Sequence, residues 1–282
     1  MFKGQTTVRD RKARSRFLMA LRCHALPGIL LLGVGCGQSP PAPVLAPAPS
    51  REDIAEEYRR FELLLSKTLR EGSTQSSFAA MEKSKNIFVD YKDPAAWFLI
   101  AKLEEMNADE LRFIGGSADP MKGFEYVGHL VGQGKSNILK YMVCHILADA
   151  YPQLSPEVRL ASLRAISASF TPSTYGREDL SALKHALYRI GRDGMPILLE
   201  KANHRDEWLR CGVCDDLNDL AKDLSAGTSP PPTLDCKGPA SKRESNSKIW
   251  MNWWNDHGSK QPFPKSPSFF ELHKSFLERL PK

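Results

Sequence analysis

Cys211-Gly-Val-Cys214 has the spacing shared by redox dithiols, zinc sites and haem attachment sites. Each of these chemistries needs a further feature. A c-type haem site needs histidine next, and Asp215 stands there. Zinc needs a second ligand pair, and the chain has no other CxxC and no histidines four apart. A redox CxxC belongs between a strand and a helix, whereas this one follows Trp208-Leu209 within a helical pattern. Structural use is what remains. Cys144 lies in the apolar run from Ile138 to Leu147 and reads as a buried free thiol. Cys236 falls in a proline-rich stretch, which a bridge to Cys211 or Cys214 would pin to the body. Cys214 shares a helical face with Leu217, Ala221 and Leu224 and points inward, so Cys211–Cys236 is the favoured pair. A Cys214–Cys236 bridge is the alternative, and a Cys211–Cys214 bridge would strain a helix interior.

The other reactive residues form no set. Gly132-Gln-Gly134-Lys135-Ser136 imitates part of a phosphate loop, but His129 occupies the position of the required first glycine. A turn between helices is the better account. Asp215, Asp216 and Asp219 make an acidic helix face, read as solvated. The histidines are scattered, with no HExxH and no Gly-x-Ser-x-Gly. No catalytic residue, metal site or cofactor is therefore assigned. Trp250, Trp253 and Trp254 fall on one helical turn. They either cap the end of an apolar core or face out, where indole rings stack on sugars or dock a protein.

These residues sit in a chain of 282, 41% hydrophobic and 26% charged, which can build a core. The net charge of +6 is local. Seven basic residues and one acid precede Cys36, and without them the two signs balance. Nucleic-acid binding is not expected, because the positive charge belongs to a leader. That leader places Arg9 to Arg22 before the apolar run Ala25–Val34. A run of 10 residues is too short to span a bilayer and suits an export signal. It contains no adjacent arginines for a twin-arginine route.

Leu32-Gly33-Val34-Gly35-Cys36 resembles the lipobox of bacterial lipoproteins. The resemblance implies that residues 1–35 are a signal peptide, that Cys36 is lipidated, and that the protein is anchored to a membrane of the cell envelope. Met19 is an alternative start. A soluble secreted or periplasmic protein is the alternative to the anchor. Residues 38–50 hold five prolines, so 36–50 reads as the anchor and an extended tether of about 3 Å per residue.

From Arg51 the pattern is helical. Ile54, Tyr58, Phe61, Leu65 and Leu69 mark one face. Asp93-Pro94, Asp119-Pro120, Ser155-Pro156 and Ser266-Pro267 each provide a capping side chain and a proline suited to the first turn. The expected helices are 51–71, 75–87, 94–106, 108–114, 120–132, 136–150, 156–169, 178–190, 195–203, 205–224, 247–257 and 267–280. The fold class is all-α, with short antiparallel helix pairs. Val131-Gly132 through Leu139, and Ile190-Gly191 through Leu199, look alike. Both resemble HEAT-type repeats, most clearly over 180–224, which implies a stacked array; an irregular helical bundle is the alternative. The organisation is then a repeat-like domain over 51–224, a loop over 225–247 and a Trp-rich cap over 248–282. The expected function is a non-catalytic, membrane-tethered scaffold for an envelope protein. An envelope enzyme or binding module acting on cell-wall or glycan material is the alternative.

Overall fold

The computed structural model describes residues 48–261 apart from 72–73, 116, 118, 134–136, 172–176 and 226–229. All of them belong to one compact unit. The helices are α1 (Arg51–Glu71), α2 (Gln75–Asp90), α3 (Lys92–Ile114), α4 (Pro120–Gly132), α5 (Ile138–Ala150), α6 (Pro156–Ala168), α7 (Arg177–Ile190), α8 (Met195–Lys201), α9 (Glu207–Leu224) and α10 (Ala240–Asp256). Short 3-10 turns cover Tyr151–Gln153, Gly191–Gly194 and Gly258–Lys260. Among the described residues there is no strand, and the fold is all-α. Residues 36–47 of the expected tether, the expected 267–280 helix and the Gly134-Lys-Ser turn lie outside them.

Local side-chain caps explain three of the starts. Thr74 and Ser77 form a reciprocal capping box on α2. Asp119 accepts from Met121 N–H at the start of α4, with Pro120 in the first turn. Asp206 does the same for α9 through Leu209 N–H. Two starts differ from expectation. The Ser155 side chain makes no cap bond; its backbone N–H donates to Asp93 Oδ1 at 3.0 Å. Asp93 thus ties α3 to α6 instead of starting α3, which begins at Lys92 after a left-handed turn there, φ 52°.

Two expected boundaries are also corrected. Residues 94–106 and 108–114 are one helix, α3. Asn107, read as a break, is buried, and its amide donates to Ser169 Oγ at 3.1 Å. Residues 240–247 are helix, not loop. The first half of α10, Ala240 to Lys248, is polar and largely exposed, so it carries no apolar period to read.

α5 is the centre. Ten of its thirteen residues are buried, so it is enclosed on nearly all sides. It packs against α2, α3, α6 and α7. Contacts run from α2 to α5 to α7 to α9, with α3 against α6 beside them; α1 covers α2 and α3, and α10 lies on α8. The two look-alike turns differ in detail. Gly191 adopts φ 78°, and a Cβ on Gly194 would come within 2.4 Å of Leu187 O, so helix α7 and the turn touch through backbone there. Gly132 instead lies at the end of α4, and a Cβ there meets nothing.

Several buried charges among the described residues are paired. Lys140 Nζ lies 2.8 Å from Glu110 Oε2 and donates to Thr171 Oγ1 at 2.9 Å, inside the core. Asp149, at the end of α5, receives Lys85 from α2 at 3.0 Å and Arg189 from α7. These bonds set how α2, α3 and α7 lie around α5 without adding much net stability, since desolvation offsets the attraction.

Candidate functional site

A groove runs between α1 and α4, with α3 as its floor and the start of α5 at its end. It encloses about 470 Å³, within the range of natural ligand sites. Helix geometry puts its lining there. α1 buries the row Ile54, Tyr58, Phe61 and Leu65, which turns Glu62 and Leu63 to the edge. α3 buries Leu99, Leu103, Asn107 and Glu110, which leaves Lys102, Glu105, Met106 and Asp109 facing the groove. Tyr126 and Leu130 of α4 form the far wall.

The groove carries charge of both signs, with Arg59, Lys102 and Lys140 beside Glu62, Glu105 and Asp109. Burial pushes the Tyr58 hydroxyl well above its ordinary value, with Glu62 and then Glu105 adding to the shift. Tyr126 is pushed up to about 12 by burial, then by Glu110 and Asp109. Both phenols are therefore neutral hydrogen-bonding groups at physiological pH. Glu105 pairs with Lys102 at 2.7 Å and Asp109 with Arg112 at 2.9 Å, each within one helical turn and largely exposed. Among the described residues Glu62 forms no ion pair. The groove thus combines apolar side chains, two phenols, three carboxylates and three cations.

α4 also has a second face. Gly123, Tyr126, Val127 and Leu130 turn inward, whereas Met121, Phe124, Gly128 and Val131 form an exposed row. The last three large side chains of that row, Met121, Phe124 and Val131, are 61%, 55% and 66% exposed. Phe113, at the end of α3, stacks on His129 with ring centres 4.9 Å apart, so the polar flank of α4 is partly covered.

The residues singled out in the sequence divide as follows. Cys211 and Cys236 form a disulfide, Cα atoms 4.9 Å apart. Cys214 is a buried free thiol, its Sγ 3.6 Å from Ala202 O, and burial pushes it up to about 11. Cys144 is buried and free, pushed up to about 12 by burial beside Ser169. Neither thiol has thiolate character at neutral pH. Asp216 pairs with Lys184 and Asp219 with Lys222; Asp215 and Asp219 face a hollow with Pro230 and Pro231. Among the described residues no three His, Cys, Asp or Glu side chains converge as a metal site would require.

Of the two readings of the three tryptophans, the cap over the core agrees with their burial and the partner or glycan face does not. Trp250, Trp253 and Trp254 are 0%, 8% and 3% exposed, so they do not offer a face to a partner or a glycan. Gly258 sits directly against the rings: a Cβ there would fall 2.6 Å from Trp254 Cε3 and 2.8 Å from Trp253 Cζ3. The turn after α10 folds over the indoles and closes them in.

Sequence reading missed the groove. Glu105 and Asp109, four apart on α3, were the available signal, but their meeting with Glu62 of α1 requires the packed helices. It also missed Lys140–Glu110, separated by 30 residues. No helix among the described residues is long and apolar enough to cross a membrane. Comparison of the chain with protein-family models, curated proteins and solved structures found no match.

Proposed function

We propose that this chain is a lipid-anchored helical scaffold that holds a protein partner in the bacterial cell envelope. The export-type leader, the lipobox-like Cys36 and the proline tether support the location. The observation that carries the binding role is the outer row of α4. The helix is apolar over two adjoining faces, and only one packs against the body. Met121, Phe124 and Val131 are spaced at i, i+3 and i+10 along the open face. Large apolar side chains grouped on one exposed helix face suit association with another protein. The contacts of α2, α5, α7 and α9 in series support the reading of the body as a stacked array.

Two experiments test the parts separately. Labelled palmitate fed to the native host should enter the protein, and Cys36→Ser should abolish both label and membrane partitioning. Retained label in Cys36→Ser would refute the anchor. Affinity capture from solubilised envelopes should return a partner that Phe124→Glu releases. Capture unchanged by Phe124→Glu and Met121→Glu together would refute the role of α4.

A further inference from the structure

We propose that the groove between α1 and α4 is a binding site for a small, uncharged, polyhydroxylated ligand of the sugar class. The site lies on the inward side of α4, not in its outer row, and does not rest on the scaffold reading.

Two buried phenols carry the argument. Tyr58 on the α1 wall and Tyr126 on the α4 wall are 6% and 5% exposed. A buried tyrosine hydroxyl ordinarily finds a hydrogen-bond partner. Among the described residues neither hydroxyl has one, and neither oxygen is sealed from solvent. Each therefore opens into the groove that its residue lines, with one proton to donate and lone pairs to accept. Glu62, one turn from Tyr58 on α1, adds acceptor capacity that no ion pair uses. Solvent serves these groups in the free protein, and a ligand hydroxyl can replace it with an equivalent bond.

The charge argues for an uncharged ligand. Arg59, Lys102 and Lys140 balance Glu62, Glu105 and Asp109. Arg59 and Glu62 stand one turn apart on α1, as do Lys102 and Glu105 on α3, so both signs occur together on each helix. An anion or a cation would meet like charge beside each opposite one. Lys140 is held by Glu110 and Thr171, Glu105 by Lys102 and Asp109 by Arg112. A charged ligand must compete with those pairs. Hydroxyl groups use the phenols and the spare carboxylate lone pairs and leave the pairs in place.

The space and its apolar lining argue for a sugar. About 470 Å³ accommodates a small molecule. Leu63, Met106 and Leu130 offer apolar surface to the C–H face of a pyranose ring. The hydroxyls at the edge of such a ring both donate and accept, as the phenols do. A hydrocarbon ligand would leave both phenols desolvated and unpaired.

The test is a saturation-transfer NMR titration of the full chain with glucose, N-acetylglucosamine, cellobiose and diacetylchitobiose. The charged comparators are glucosamine, glucuronate and the zwitterion glycylglycine. At least one neutral sugar should show transfer, and every comparator should bind more weakly than that sugar. Tyr58→Phe with Tyr126→Phe should weaken the binding about tenfold, through the loss of two hydrogen bonds. The melting temperature of the ligand-free variant should not fall, because neither hydroxyl bonds to the chain. The proposal is overturned by no transfer to any of these sugars, by binding that the double variant leaves unchanged, or by a comparator that binds as tightly as the best sugar. A lowered melting temperature would equally overturn it, since the hydroxyls would then serve the fold.

Discussion

Replacing Cys211 and Cys236 by serine removes a bridge that spans 25 residues. In the chain-entropy account, closing a loop of that length is worth about 3 kcal/mol, through the restriction of the unfolded chain. The folded state should change little, because the loop is held by other bonds. Asn218 brackets Leu234, accepting its N–H at 2.8 Å and donating to its carbonyl at 3.1 Å. Arg210, itself buried, donates to Cys236 O at 2.6 Å. Leu234 is buried against the core. The double variant should therefore keep the native near-ultraviolet circular dichroism while its urea midpoint falls. For a domain of this size the melting temperature should drop by roughly 6–12 °C. Peptide mapping of the oxidised, denatured full chain should find Cys144 and Cys214 labelled by iodoacetamide and Cys211 and Cys236 protected. A stability loss below about 1 kcal/mol would refute the entropic argument, and labelling of Cys236 in the oxidised protein would refute the bridge.

Glu110→Leu alone strands the Lys140 ammonium in the core and should cost about 3–5 kcal/mol, whereas Glu110→Leu with Lys140→Met should recover most of that loss in urea titrations. Gly258→Ala forces a methyl group against two indole rings and should destabilise by about 1–3 kcal/mol, with a changed tryptophan near-ultraviolet signal. Burial, more than the adjacent Lys184, holds His185 below its ordinary value of 6.5, and burial likewise lowers His204. The unfolded chain then binds more protons just below pH 6.5 than the folded one, so stability should fall as pH drops through that value. Thermal melts from pH 7.5 to 5.5 should show this, and His185→Gln should flatten it. Native protein at pH 8 should resist alkylation at Cys144 and Cys214, because their thiols are held at about 12 and about 11.

Much of the helical layout was legible because its causes are local. Proline after Asp119 or Ser155, and the apolar row of α1, act within a few residues. The extent of α3 and the start of α10 were not, since Asn107 continues a helix through a bond to Ser169 and the head of α10 is polar throughout. The preference for Cys211 over Cys214 came from helix phase alone, which places Cys214 on the inward face.

Coverage is where periodicity stops. A repeat of apolar residues shows which face of a helix avoids water, and it carries no information about whether a neighbour arrives to cover it. The tryptophans of α10 and the outer row of α4 are both apolar faces in the sequence. Packing encloses the first beneath Gly258 and leaves Met121, Phe124 and Val131 open. In the same way Glu62, Glu105, Asp109 and Tyr126 are ordinary residues on three separate helices. They come to line one groove only because α1 and α4 both lean on α3, a relation between distant segments that no local pattern encodes.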